Sequence, residues 1–384
     1  MQTPTQEEIT RALPSVPFVI SGLVYEYGGR PFIIKAKDAI SFKYSSMKLL
    51  IIDDLMEYTP PNSDSNSDSN SNSNSNHIGV FTYIFEDHLD HTIYIYEGIG
   101  LSFENSEYPI NIIQWGDYEM TIGYKIFADC KGITISADDS PNIKTKSMAY
   151  MFAGTLNISG NLHWDTREVT DMSHMFDGCV NFNGDLGRWE TGKVMDMSSM
   201  FSGCIKYNGE MSRWDTSEVT TMNSMFNQCT IFNRNISGWK TGNVRDASHM
   251  FNRCFSFNGD LSRWDTSSIV YMSGMFLHCS EFNQDLSGWS LKKVINMTNM
   301  FGHCLKFNKD LSLWDMSNVK YMAGMFYGCA YLSLNFDNWN IHAALDIRDM
   351  FRGCDYMIMP KWGQPKYYEG NPDWELLLGI PGGK

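Results

Sequence analysis

The feature that most constrains this chain is a Met-Phe pair that returns every 25 residues. It stands at Met175, Met200, Met225, Met250, Met275, Met300, Met325 and Met350, with an earlier copy, Met151-Phe152, set 24 residues before the first of these. Tryptophan keeps the same phase at Trp164, Trp189, Trp214, Trp239, Trp264, Trp289, Trp314 and Trp339, eight of the eleven in the chain. Counted from its Met as position 1, the unit reads Met-Phe-x-x-Cys-x-x-Phe-Asn-x-Asp-Leu-Ser-x-Trp-Asp-Thr-x-x-Val-x-x-Met-x-x. Its apolar residues at positions 2, 5, 8, 12, 15, 20 and 23 fit neither a period of 2 nor one of 3.6. Each unit is therefore expected to combine short strands, helical turns and corners. A piece of this size cannot bury its apolar face alone, whereas stacked units line identical positions into internal rows. The sequence predicts a repeat solenoid, with the Trp row as structural core. That displaces the two or three ordinary domains that 384 residues would otherwise suggest.

The pattern begins before its first Met-Phe pair. Phe127-Ala128-Asp129-Cys130 lies 25 residues ahead of Phe152, with Ile126 in the Met slot and Ile133-Thr134-Ile135 reading as a strand. About ten coils at the strand spacing of roughly 4.8 Å would make a rod about 45 Å long. After Cys354 the pattern stops, and Pro360, Trp362, Pro365, Tyr367, Tyr368 and Trp374 are expected to close the end as a cap over residues 360–384. Residues 1–110 do not repeat. There, residues 18–27 and 31–37 flank Gly28-Gly29 as a hairpin signal, and residues 80–85 and 92–96 read as two more strands. Between them, residues 62–76 form a Ser/Asn tract with nothing apolar to bury, expected as a disordered loop. The expected organisation is a small β-rich N-terminal domain over 1–110, the repeat over 111–359 and the cap.

Charge narrows the function classes. Thirty basic against forty-four acidic residues give a net charge of −14. Sequence-independent nucleic-acid binding needs Lys and Arg to replace phosphate counterions, so no nucleic-acid partner is expected. No run of eighteen apolar residues occurs, so no membrane insertion is expected. The first residues do not read as a secretory signal, which points to a cytoplasmic or virion location.

The repeat unit resembles that of BspA-like leucine-rich repeat surface proteins, which include the mycoplasma-type repeat domains of unknown function. The lead-in Gln114-Trp115-Gly116-Asp117, Phe127 to Cys130 and Ala137-Asp138-Asp139-Ser140-Pro141 is similar to theirs as well. The resemblance covers about residues 111–359. It implies a leucine-rich-repeat-like, right-handed solenoid whose common activity is protein binding, with no shared catalytic residues. Members are mostly bacterial surface adhesins and protist proteins, with relatives encoded by large DNA viruses. The secreted form carries a signal and an anchor, so a large-DNA-virus or cytoplasmic relative is the expected kind here.

The candidate chemistry is confined to columns. Cys130, Cys179, Cys204, Cys229, Cys254, Cys279, Cys304, Cys329 and Cys354 all hold position 5. Stacked Cβ atoms about 4.8 Å apart exceed the roughly 3.5–4.5 Å a disulfide needs. A row of buried, reduced thiols acting as small hydrophobes is expected. Asn183, Asn208, Asn233, Asn258, Asn283 and Asn308 hold position 9, where a stacked amide ladder would satisfy buried backbone groups at a corner. The acids at position 11, Asp185, Glu210, Asp260, Asp285 and Asp310, could draw calcium. Their mutual repulsion favours turn capping, or pairing with Arg188, Arg213, Arg263 or Lys309. Residues 86–91, Glu-Asp-His-Leu-Asp-His, are the one compact set of metal ligands and are read as a solvated loop.

No phosphate loop, dinucleotide fingerprint, nucleophile elbow or zinc-helix motif is present. No cofactor or metal is expected, and a metal-dependent enzyme in the N-terminal domain is the least favoured reading. The leading expectation is a non-enzymatic solenoid that presents its surface to a protein partner. A self-associating structural virion or surface/adhesion component is the alternative. Arg188, Arg213 and Arg263 share position 14, between core positions 12 and 15, and so are expected to point outward. In an acidic protein they would form a positive strip that steers an acidic partner surface.

Overall fold

Residues rich in Ile, Phe, Tyr and Val favour extended backbone, and these open the fold. The computed structural model describes residues 32–37, 39–44, 46–51, 56–58, 79–84, 90–358 and 360–363. The expected strand at 18–27 with its Gly28-Gly29 turn, the tract 62–76, residues 86–89 and the cap from Pro365 onward lie outside the described residues. The strands are β1 (Phe32–Lys37), β2 (Ala39–Tyr44), β3 (Ser46–Ile51), β4 (Met56–Tyr58), β5 (Gly79–Ile84), β6 (Asp90–Ile99), β7 (Ile110–Gln114), β8 (Glu119–Met120), β9 (Ile133–Ile135), β10 (Asn142–Ile143) and β11 (Ile158–Gly160). β1, β5 and β6 fall where the apolar runs predict them.

The largest sheet runs β11-β9-β7-β1-β6-β3-β4. β1 pairs antiparallel with both β6 and β7, while β7 pairs parallel with β9, and β9 with β11. The sheet thus changes from antiparallel to parallel at β7, and the 25-residue offset first appears between β9 and β11. One sheet joins the early strands to the first repeat units, with Ile34, Ile93 and Ile112 fully buried along it. β2 with β5, and β8 with β10, form two small pairs.

Beyond β11 the chain is a repeat of turns. Each unit touches the next through a parallel bridge at position 22, running Ser147, Asp171, Asp196, Thr221, Asp246, Tyr271, Asn296, Tyr321 and Asp346. The expected helical turns are a point of correction. Among the described residues the only helical element is a single 3₁₀ turn, Lys361–Gly363. Left-handed residues at two corners account for this, because one such residue ends a right-handed turn. Position 25 has φ between 53° and 57° at His174, Ser199, Ser224, His249, Asn299 and Asp349. Position 4 has φ between 58° and 73° at Gly178, Gly203, Gln228, Arg253, His278 and His303. Between those corners the amides of positions 2 and 4 donate to the following unit, as from Phe176 to Met200 O and from Gly178 to Ser202 O, at 2.9 and 2.7 Å.

The core is a set of rows. Phe176, Phe201 and Phe226 stack with centroids 5.6 and 5.7 Å apart, and each lies against the position-8 ring of its own unit, as Phe176 does on Phe182 at 4.2 Å. Met at position 1 and Thr at position 17 are also buried, at Met200 and Thr216 for example, although neither belongs to the expected apolar set. No described helix is long and apolar enough to cross a membrane.

Candidate functional site

The rows are held together by side chains that bond to the backbone of the neighbouring unit. Trp214 is only 3% exposed and its Nε1–H donates to Leu186 O at 3.1 Å. Trp189, Trp239, Trp264, Trp289, Trp314 and Trp339 make the same bond to the position-12 carbonyl one unit back, at 2.6 to 3.2 Å. Trp164, first in the row, is buried without a partner for its Nε1. Trp362 in the 3₁₀ turn extends the row and donates to Phe336 O at 2.7 Å.

All nine cysteines are free. Each thiol donates to a Phe carbonyl of the preceding unit, as Cys229 does to Phe201 O at 3.0 Å and Cys354 to Phe326 O at 3.0 Å. The column is therefore a hydrogen-bond ladder, more than the row of small hydrophobes that composition suggests. Burial pushes the Cys130 and Cys354 thiols up to about 12 and holds Cys229 and Cys254 well above the ordinary thiol range. Neutral, inert thiols suit packing and not nucleophilic chemistry. At position 17, Thr166, Thr191, Thr216, Thr241 and Thr266 donate forward to a backbone carbonyl of the next unit at 2.9 to 3.0 Å.

The Asn column lies elsewhere than expected. Asn183, Asn233, Asn258 and Asn308 are exposed, and Asn208 and Asn283 are half-buried. The backbone N–H of Asn208 donates to Asn183 Oδ1 at 2.9 Å, and the same link joins Asn233, Asn258, Asn283, Asn308 and finally Ser333 to the residue one unit back. The column is a surface brace, because the corner carrying it faces solvent.

The position-11 acids bond to their own turn two residues on. Asp185 accepts from Gly187 N–H, Asp260 from Ser262 and Asp310 from Ser312, at 2.8 to 2.9 Å. The Ser262 and Ser287 amides hold the Asp260 and Asp285 carboxyls below the usual range. Among the described residues no three His, Cys, Asp or Glu side chains form a group that could hold a metal ion.

Arg188, Arg213 and Arg263 are all exposed. Ion pairs along the repeat join Lys193 to Glu168, Lys240 to Asp215 and Lys306 to Glu281, and among the described residues none pairs with any of the three arginines. The strip they were expected to form is interrupted, because the same column carries Gly238, Gly288 and Leu313. Arg263 instead lines an open cleft of about 620 Å³ with Ser217, Ser237, Lys240, Thr241, Asn243 and Asp265. A second cleft of about 360 Å³, lined by Thr220, Asn243, Arg245, Ser268, Val270 and Lys293, shares Asn243 with the first. Sequence reasoning missed Lys240, Asn243, Arg245 and Lys293. A tally of charge over outward positions 14, 16, 18, 19 and 21, unit by unit, was the available signal.

A family model described as a Mycoplasma protein of unknown function, DUF285, matches residues 121–214, 146–264 and 248–360, more than half of the chain. The chain belongs to this family. It is the BspA-like repeat family that the Met-Phe and Trp phasing resembles, and overlapping DUF285 matches are what a run of 25-residue units produces. The DUF285 repeats of this chain are turns and short strands with almost no helix. No curated protein and no solved structure matches the chain.

Proposed function

We propose that the chain is a non-enzymatic, leucine-rich-repeat-like solenoid that presents an extended surface to a protein partner. One observation carries this reading. Over inward rows that hardly change, positions 6 and 7 leave an exposed apolar side chain on most units. Leu156, Ile205, Ile231, Phe255, Leu305 and Tyr331 are between 43% and 61% exposed. Exposed apolar side chains in a contiguous series mark protein interaction surfaces. A rigid stack also holds them at fixed spacing, which lowers the ordering cost of binding. Free, protonated thiols along the core suit a reducing compartment.

The test is affinity capture from host lysate with the full chain and with the triple variant Ile205→Asp, Ile231→Asp, Phe255→Asp. Loss of a captured partner, with an unchanged unfolding midpoint, supports the reading. Identical capture by both proteins overturns it. Concentration-dependent self-association in sizing chromatography, abolished by the same variant, would make the partner a second copy of the chain.

A further inference from the structure

We infer that the face formed by positions 14 to 21 carries a separate recognition site, a cationic cleft that takes an acidic peptide segment. The inference rests on the protein-binding reading and names the chemistry of a second contact. The two clefts meet at Asn243 and together present Lys240, Arg263, Arg245 and Lys293. Against these four cations the lining holds one carboxylate, Asp265, which is engaged with the Ser267 amide at 2.9 Å. Of the four cations only Lys240 is in an ion pair, 3.2 Å from Asp215. In a chain of net charge −14 this is a local inversion of sign.

Glycine makes the space. A Cβ on Gly238 or on Gly288 would meet nothing within 4 Å. Arg263 therefore stands in its column between two residues that carry no side chain. The floor is rigid and already satisfied. Asn243 Nδ2 donates to Ser217 O at 2.6 Å, Thr241 Oγ1 to Asp265 O at 2.9 Å and Trp239 Nε1 to Met211 O at 3.2 Å. Among the described residues Arg245, Arg263 and Lys293 make no ion pair, although Arg263 feels the charge of Asp260 and Lys293 that of Asp265, and all three are exposed to solvent.

A carboxylate-bearing peptide fits this arrangement better than a nucleic acid. Alternate side chains of an extended peptide lie roughly 6.6 Å apart, which lets successive acids meet cations of different units, and guanidinium groups grip carboxylates in bidentate pairs. Single strands are held largely by stacking of their bases on aromatic platforms, and the one aromatic of the lining, Trp239, is 3% exposed. A long polyanion would also meet the repulsion of the whole acidic chain, whereas a short segment feels chiefly the local field.

The experiment uses the full chain and fluorescence anisotropy with three labelled probes: a short Asp/Glu-rich peptide, its Asn/Gln counterpart, and a single-stranded oligonucleotide of equal charge. The acidic peptide is expected to bind about tenfold or more tighter than the amide peptide, and less tightly as salt rises. The double variant Arg245→Glu, Lys293→Glu should lose about tenfold or more in affinity. Lys144→Glu, the same kind of charge change at a distant exposed site, should shift it by less than about twofold. Equal binding of the amide peptide overturns the inference, as does an equal loss with Lys144→Glu or tighter binding of the oligonucleotide. The two readings fail separately. If the double variant binds acidic peptide as well as the wild type yet the apolar triple variant loses its partner, the cleft falls and the protein-binding reading stands. If the apolar variant loses nothing while the acidic peptide still depends on Arg245 and Lys293, the converse holds.

Discussion

Positions 8 to 10 of the unit are built in two ways along this chain. In the first units they are strands, β9 and β11, with Ile133 opposite Ile158 and Thr134 opposite Ser159 in a parallel ladder. From Phe182 to Asn308 the same positions read Phe-Asn or Tyr-Asn, and no strand forms there. The amide of each Asn then finds its acceptor on the neighbouring side chain, as Asn258 N–H does on Asn233 Oδ1 at 2.9 Å. A side-chain carbonyl has replaced a backbone carbonyl. The lesson is that a stack can keep its spacing while its backbone is released to turn, provided side chains take over the pairing. Trp Nε1, Cys Sγ, Thr Oγ1 and Asn Oδ1 all do so in the later units.

That contrast can be broken most severely at the Trp row. Trp239→Ala should cost about 3–5 kcal/mol, the range for large-to-Ala core changes. Trp239→Phe keeps much of the ring volume but removes the indole donor to Met211 O, which retains the Trp214 amide, and should cost about 0.5–1.5 kcal/mol, the net worth of one hydrogen bond. Denaturant unfolding checks both. An effect below about 1 kcal/mol for the Ala variant, far under the core range, would remove Trp from the stacking scheme.

The Cys ladder comes next. Cys229→Val removes the thiol donor to Phe201 O, which keeps the Cys204 amide, and forces a branched side chain into a packed row, so it should destabilise by about 1–3 kcal/mol. Folded protein should react slowly with an alkylating reagent, whereas denatured, unreduced protein should take up nine equivalents, one per cysteine. Mass spectrometry reads the count, and any native disulfide would contradict the ladder.

A smaller effect separates the two bonding schemes directly. Asn258→Ala should cost about 0.5–1.5 kcal/mol, because the Asn283 amide loses its acceptor. Thr134→Ala, on the exposed face of a true strand, should stay within about 0.5 kcal/mol because backbone pairing persists there. Equal effects at both sites would erase the distinction.

The smallest effect is in pH. Burial holds the His249 and His278 imidazoles below their ordinary pKa, helped at His278 by the charges of His303 and Arg253. A lowered folded pKa means that the unfolded chain binds the proton more readily. Stability from this source is complete above about pH 6.5, the unfolded value, and is lost as pH falls toward the folded values. The unfolding midpoint should therefore drop modestly from pH 7 to pH 5. In the double variant His249→Gln, His278→Gln that slope should be shallower.

Much of this was legible in the residues because of their size and spacing. A large apolar side chain returning in one phase has to be inside, so the Trp, Phe, Cys and Val rows could be read directly. β2 is not among the strands expected from the sequence, although Ile40, Phe42 and Tyr44 alternate with Ser41 and Lys43. The corner geometry was hidden. His174, Gln228 and Arg253 take left-handed backbone without being glycine, and nothing in their chemistry announces it. The position-14 arginines were placed outward correctly, but which of them shares a cleft depends on where Gly238 and Gly288 fall in neighbouring units.

The sequence by itself determined the period, the inward rows and the family, because burial of apolar surface depends only on which residues recur and how often. The tertiary structure alone decided the bonding partners. A thiol, an indole N–H or an amide has no direction until the next unit sets a carbonyl in front of it, and hydrogen bonds, unlike burial, depend on that direction. For the same reason only the folded stack shows that Arg263, Arg245 and Lys293 gather around Asn243 with no ion pair among the described residues.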